Sequence, residues 1–304
     1  MVWGTTYLGI RICLETMPPG LMAGLRWVAA GALLAVVELA RGHRLPGRHA
    51  WRRLATIGLL FIVGGNGLVV WAEQWVPSGL AAVLLATTPF WMVGTEAMLP
   101  NGERPHGWTW LGLAIGFTGI VLLVWPGLSA GGSVGAGFLA GAVVLQLACI
   151  TWSIGSAYER RRESEGEHAL GGAALEMLFG GLVLTVIGTA AGEWPRLAFS
   201  ARSGIAFAYL VLAGSVVGYS AYIYTLKHLP VSTISLSSYI NPIIAVILGV
   251  LVAAERFDAG SLLASVVVLA GVAVVRATAP KGSTAPSVKG MPGGEPLEES
   301  GQKR

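Results

Sequence analysis

The chain has 304 residues, of which 54% are hydrophobic and only 12% charged, with a formal net charge of +4. Soluble domains carry roughly 25% charged residues, so half that share, spread over most of the chain, excludes a soluble globular protein and indicates a polytopic membrane protein. The basic excess does not indicate nucleic-acid binding, because Lys and Arg sit in short loops between apolar stretches and form no continuous face.

A membrane span needs about 20 apolar residues. Polar breaks divide the chain into ten such segments: 1–17, 21–40, 54–75, 78–99, 107–125, 135–158, 169–191, 203–226, 231–253 and 259–277. The first is short, and Trp3 already lies inside its apolar pattern; it is expected to be a span whose beginning lies upstream. It has no basic region and no small-residue cleavage site, so it does not read as a cleaved signal.

Charge inside a span costs at least about 2.5 kcal/mol, so each ionisable residue there needs a reason. Arg11 in segment 1 is either half of an ion pair with a neighbouring helix or a fixed positive charge on a polar cavity. Arg26 lies in segment 2. Glu38, near the end of that segment, is expected to reach water by snorkelling. Segment 3 holds Gly64-Gly65-Asn66-Gly67, which weakens the helix and admits another backbone; Asn66 there contacts either solute or a neighbouring helix. Glu73 and Glu96 sit near span ends as gate or packing residues, while Glu176 is well inside segment 7 and is a cavity candidate. A buried carboxylate can also exchange a proton, so protons are a candidate coupling ion. Cys13 and Cys149 read as small apolar fillers, with no disulfide or metal spacing.

Aromatic residues fall into two groups. Trp51, Trp71, Trp75, Trp108, Trp110, Trp125 and Trp194 lie near span ends and read as an interfacial belt. Trp3, Trp27, Trp91 and Trp152 lie deeper. Tyr219 and Tyr222, three residues apart, share a helical face. With Trp3, Trp91, Trp152 and Tyr239 they are candidates for the wall of a mostly apolar cavity.

The strongest pattern is a repeat. Pro77–Gly94 (PSGLAAVLLATTPFWMVG) is answered by Pro230–Gly249 (PVSTISLSSYINPIIAVILG), with Pro89 answering Pro242, Glu103-Arg104 answering Glu255-Arg256 and Gly119 answering Gly271, at a spacing of about 152 residues. Each proline removes a helical hydrogen bond and marks a hinge or a static kink. With the N-terminus in the cytoplasm, cytoplasmic segments hold Arg41, Arg44, Arg48, Arg52, Arg53, Arg104, Arg160, Arg161, Arg162, Lys227, Arg276, Lys281, Lys289, Lys303 and Arg304. The opposite side holds only Arg196, Arg202 and Arg256. This asymmetry orients the chain with both termini inside. Five spans per half is an odd number, so the halves enter the membrane from opposite sides. The expected fold is therefore an all-α integral membrane protein of ten transmembrane helices, arranged as two inverted five-helix repeats. Residues 1–125 form the first repeat, 126–134 a linker, 135–277 the second repeat and 278–304 a disordered cytoplasmic tail.

No GxxxxGK[ST], HExxH or GxSxG pattern occurs, and no selectivity-filter loop is evident. An ATP-driven pump within this chain is excluded, an enzyme is not expected, and no cofactor or metal is expected.

The ordered stretches WGTTYLGIR (Trp3–Arg11), PPGLMAGLRW (Pro18–Trp27), GGNGLVVWAEQWVPSGLAAVLLATTPFW (Gly64–Trp91) and SSYINPIIAVILG (Ser237–Gly249) resemble the EamA family of the drug/metabolite transporter superfamily, over about residues 3–277. The resemblance implies secondary transport of small metabolites, often outward, through a central cavity built by both halves. Its implied cavity residues here are Trp3, Arg11, Asn66, Trp91, Trp152, Glu176, Tyr239 and Asn241; Tyr222 joins them from its own helix face. The expected function is an exporter of small organic metabolites, amino acids or amphipathic compounds, in the cell's inner membrane. It would work as a monomer or homodimer by alternating access. A non-transporting membrane scaffold or sensor is the alternative, and it would tolerate apolar replacements at Asn66, Tyr239 and Asn241.

Overall fold

In so apolar a chain the backbone N–H and C=O groups must be satisfied within each segment, and a helix does that. The computed structural model describes residues 2–100, 107–129, 133–161, 168–228, 237–253, 255 and 258–277, and every regular element among them is helical. In chain order these are α1 (Val2–Cys13), α2 (Pro19–Ala40), α3 (Arg48–Ala72), α4 (Ser78–Met98), α5 (Gly107–Ser129), α6 (Ser133–Arg161), α7 (Ala169–Ala190), α8 (Ala201–Tyr209, continued by Leu210–Val217 and Gly218–His228), α9 (Ser237–Ala253) and α10 (Ala259–Ala277). Six of them, α2, α3, α4, α6, α7 and α8, are long and apolar enough to cross a membrane, and shorter apolar helices lie within α5, α9 and α10. The seven tryptophans near span ends are all exposed.

Helix ends differ from the apolar segments where charge continues a helix past its greasy part. α3 begins at Arg48 rather than 54, and α6 runs on to Arg161 rather than 158. Most of the stretch expected to be a linker is helical, because α5 extends to Ser129 and α6 starts at Ser133; uncharged glycine and serine are tolerated in membrane helices. The tail from residue 278 lies outside the described residues.

The halves share devices. α2 and α7 each span 22 residues and end in a left-handed glycine, Gly42 at φ +79° and Gly192 at φ +66°. They also pack on each other most extensively, followed by α5 and α10. Both contacts depend on glycine. A methyl group at Gly24 would lie 2.5 Å from the Thr185 backbone nitrogen, and one at Gly181 would lie 2.6 Å from that of Val28. One at Gly271 would lie 2.4 Å from that of Gly116. Backbones this close gain dispersion contacts that larger residues would forbid. Gly20 meets Gly188 while Gly31 meets Ala174, and Gly112 meets Val275 while Gly119 meets Val268. Helices in equivalent places therefore run antiparallel.

α3 and α8 each contain a π-helical segment, Leu59–Gly67 and Leu210–Val217, in corresponding positions. The equivalence fails at the prolines. α4 is interrupted at Ala86-Thr87, just before Pro89, whereas Pro242 lies inside a continuous α9. A pair of equivalent hinges is thus reduced to one visible break.

The two ends of the bundle are closed differently. At the basic end, Glu96 of α4 accepts from Arg160 (2.7 Å) and Arg161 (2.8 Å) of α6, and Arg53 of α3 lies 3.6 Å from Glu159. At the far end, carboxylates cap helix N-termini. Glu193 accepts from the Gly20 and Leu21 N–H groups (3.2 and 2.7 Å) at the start of α2. Glu255 accepts from the Ser78 and Gly79 N–H groups (2.7 and 3.1 Å) at the start of α4. Each cap satisfies orphan donors where the helix dipole is positive.

Candidate functional site

A cavity of about 140 Å³ lies between α1, α3 and α4 of the first half and α6, α8 and α9 of the second. An apolar cavity of about 150 Å³ suffices to hold benzene, so this one fits the ring or aliphatic portion of a small organic molecule. α1 contributes Trp3, Thr6, Tyr7 and Ile10, the i, i+3, i+4, i+7 stripe of one helical face. Arg11, one residue on, is rotated off that face. It is exposed, and its Nη1 donates to the Glu73 carbonyl (3.0 Å).

One wall is aromatic. Trp3 and Trp152 meet edge to face at 5.5 Å, and Tyr222 lies 5.3 and 4.9 Å from them, with Phe61 behind at 4.6 Å from Trp152. Polar atoms fix the rings. Trp152 Nε1–H donates to Tyr222 Oη (2.9 Å), which also pairs with Ser156 Oγ (2.8 Å), and Trp3 Nε1–H donates to the Gly214 carbonyl (3.0 Å). Glycines seat the indoles. A methyl group at Gly65 would lie 2.7 Å from Trp152 Cε3, and one at Gly218 would lie 2.6 Å from Trp3 Nε1. The glycines around Asn66 thus admit a side chain, rather than the backbone that the sequence suggests. Such aromatic pairs contribute about 0.5–1.5 kcal/mol beyond the area they bury.

The residues preceding the two prolines, Thr88 and Asn241, also line the cavity. Pro89 leaves the Leu85 carbonyl without its helical donor, and Thr88 Oγ1–H takes it at 2.6 Å. Asn241, before Pro242, is 9% exposed, and its Oδ1 has no hydrogen-bond partner among the described residues. A buried acceptor without a donor costs roughly 1–3 kcal/mol; here it borders the cavity, where a solute N–H or O–H would satisfy it. Asn66 also lines the cavity, while its amide donates to the Phe61 carbonyl (3.0 Å) inside the π-helical segment. That bond stays within α3 and ties no neighbouring helix.

Of the residues singled out from sequence, Trp3, Asn66, Trp152, Tyr222 and Asn241 line the cavity, with Pro89 and Pro242. Arg11, Trp91 and Glu176 do not. Trp91 Nε1–H is tied to Gln146 Oε1 (2.8 Å) and packs on Phe117; Met92, three residues after Pro89 on the face that also carries Ala82, Leu85 and Ala86, lines the cavity instead. Glu176, 1% exposed, accepts from Tyr219 Oη–H (2.8 Å) in the packing between α7 and α8. Tyr219 itself stacks on Trp27 and Phe61 behind the wall. The side chain of Tyr239 lies outside the described residues. Glu38 does not snorkel; its side chain is fully buried between two histidines. Sequence reasoning missed Thr6, Tyr7, Ile10 and Met92, although the helical stripe from Trp3 would have found the first three. Cys149 lines the cavity, with its Sγ 3.4 Å from Thr88 Oγ1.

A polar vestibule of about 710 Å³ lies at the far end, lined by Arg11, Glu15, Gln74, Arg196 and Arg202 among others, and it begins on α1 at the residue after Ile10 of the cavity. Glu73 lies between them, fully buried, with neither carboxylate oxygen hydrogen-bonded among the described residues.

A cavity framed by matching helices from two antiparallel halves is the arrangement of a membrane transporter built from a duplicated unit. The model of the EamA-like transporter family matches residues 1–125 and 139–277, and the chain belongs to that family, within the drug/metabolite transporter superfamily. It is 38% identical to the inner membrane transporter YedA of Escherichia coli over 82% of this chain and 78% of that one. It is 22% identical to a probable amino-acid metabolite efflux pump of the same species, over 89% and 90% of the two chains. A solved crystal structure, 20% identical, shares the fold with a TM-score of 0.62, covering 90% of this chain and 93% of its own.

Proposed function

We propose that this protein is a secondary transporter that exports small organic solutes, amino acids or amphipathic metabolites, across the inner membrane. Ten spans form two inverted repeats with both termini cytoplasmic, so the basic end faces the cytoplasm. The observation that carries this reading is the cavity itself: an aromatic wall of Trp3, Trp152 and Tyr222 and the unpartnered Asn241 Oδ1. The rings take the apolar part of a solute, and Asn241 takes an ammonium or hydroxyl donor. Ion pairs of Glu96 and Arg53 bolt the basic end, while the far end opens into a vestibule; rocking of the halves would exchange these states. Likeness to a relative named as an amino-acid metabolite efflux pump supports the solute class.

Purified protein in liposomes should exchange labelled apolar amino acids in a counterflow assay. Trp152→Ala and Asn241→Ala should each depress that exchange while the protein remains folded. Full exchange in both variants would reject the site. Coupling to protons is assigned to Glu176, through Tyr219 and the wall it supports. Glu176→Gln should abolish accumulation driven by a pH gradient and spare solute binding; unchanged accumulation would reject that assignment.

A further inference from the structure

α2 ends in a turn that folds the chain back on itself. Gly42 adopts φ +79°, and the N–H groups of Gly42 and His43 donate to the Leu39 and Glu38 carbonyls, both at 3.0 Å. This is the glycine-terminated helix end with its two reverse hydrogen bonds, and it returns the His43 ring to the last turn of α2. His168 arrives from the other half of the chain, as the N-cap residue of α7. Nδ1 of His43 lies 3.0 Å and Nδ1 of His168 lies 2.6 Å from the same atom, Glu38 Oε2. The two rings stack at 4.1 Å with planes 31° apart.

Three features go beyond an ordinary hydrogen-bonded cluster. The Glu38 side chain is fully buried, while each imidazole is about four-tenths exposed. Both imidazoles crowd onto Oε2 and leave Oε1 buried with no hydrogen-bond partner among the described residues, although buried carboxylate oxygens are normally paired. The nitrogen and oxygen ligand atoms of all three residues lie within 4.8 Å of one another. Zinc bonds of about 2.0–2.1 Å in a tetrahedron place ligand atoms roughly 3.3 Å apart, so the two Nδ1–Oε2 separations of 3.0 and 2.6 Å widen and the remaining ligand atoms, within 4.8 Å, draw together by side-chain rotation. The exposed edge leaves a position for water.

We propose that Glu38, His43 and His168 form a binding site for a divalent transition-metal ion of the zinc class. Two imidazoles with one carboxylate suit Zn²⁺, Ni²⁺ or Cu²⁺, whereas Mg²⁺ and Ca²⁺ favour all-oxygen shells. As the ion enters, each ring adopts the tautomer with its proton on Nε2, so that Nδ1 offers its lone pair. The ion joins α2 of the first half to α7 of the second at the basic end of the bundle. The sequence concealed the site because its ligands come from distant positions and include no Cys or HxxxH spacing.

The test uses the full-length chain in detergent, with any histidine tag removed and metal stripped by chelator. Titration with ZnCl₂ should show one saturable micromolar site per chain and a metal-dependent rise in Tm, with no response to MgCl₂. Co²⁺ should give the visible absorption of a low-coordinate nitrogen–oxygen site. The double change His43→Ala with His168→Ala should weaken zinc binding by about 100-fold and erase both the cobalt band and the zinc-dependent rise in Tm; its Tm in EDTA falls as well, because buried Glu38 loses both partners. Glu38→Gln is the harsher variant, and its reading is accepted only where the far-UV spectrum is retained. Absence of saturable zinc binding in the parent, or binding that survives loss of both histidines, would overturn the proposal.

Discussion

The two halves of this protein share a scaffold and differ at the site. Both have a π-helical segment in their third helix, both end their second helix in a left-handed glycine, and each seats an indole on a glycine of the other half: Trp152 on Gly65, Trp3 on Gly218. The two tryptophans meet at the centre. The difference lies one residue before each proline. Thr88 repairs the carbonyl that Pro89 exposes, and so its hydroxyl is spent on the fold. Asn241, before Pro242, keeps an unpaired acceptor on the cavity. Under the proposed function, the symmetry lets the two halves exchange roles, and its local failure gives a solute a polar group to meet.

That contrast can be broken from the scaffold side first. Gly181→Val drives a side chain into the Val28 backbone, where neither helix can retreat. It should cost about 3 kcal/mol, the upper end of ordinary overpacking, seen as a large fall in Tm. Gly271→Val, placed against Gly116 on the other antiparallel pair, should do comparable damage. Next come the indole seats. Gly65→Val and Gly218→Val should each displace one tryptophan and lower transport about 10- to 100-fold, equivalent to roughly 1.4–2.7 kcal/mol, with Tm falling less than in Gly181→Val. Unequal losses at the two seats would show that the tryptophans are not functional partners.

The asymmetry is then sharpened by the paired changes Asn241→Ala and Thr88→Val. The first should weaken apparent solute affinity about three- to tenfold, the worth of one net hydrogen bond, with stability unchanged or raised. The second should leave affinity alone and cost roughly 1 kcal/mol of stability, because the Leu85 carbonyl loses its donor. The smallest effect is expected at the caps. Glu193→Gln and Glu255→Gln should each lower stability by about 0.5 kcal/mol, through weaker bonds to the same N–H groups.

How much of this was legible beforehand depended on the range of the interaction. Periodic apolar length and the proline register revealed the helices and the duplication, since both are written locally. Trp3, Asn66, Trp152, Tyr222 and Asn241 could be chosen because polar or amphipathic groups are costly in lipid wherever they point. Direction was the missing quantity. Arg11 and Ile10 are neighbours in sequence, yet one faces the vestibule and the other the cavity. Trp91 likewise gives way to its neighbour Met92, which continues the stripe of Ala82, Leu85, Ala86 and Pro89 on the cavity face of α4. Glu38 looked free to snorkel because the residue that buries it, His168, is supplied by the other half.

The central claim is that the hollow between the halves opens to one face of the membrane at a time. Its most direct test is thiol labelling of Met92→Cys, a cavity position, in a chain whose buried Cys13 and Cys149 are replaced by alanine. The account predicts that a membrane-impermeant reagent reaches residue 92 from a single face under each condition, that changing the solute gradient switches that face, and that a transported amino acid protects the thiol. Simultaneous labelling from both faces, or labelling that solute never slows, would contradict it.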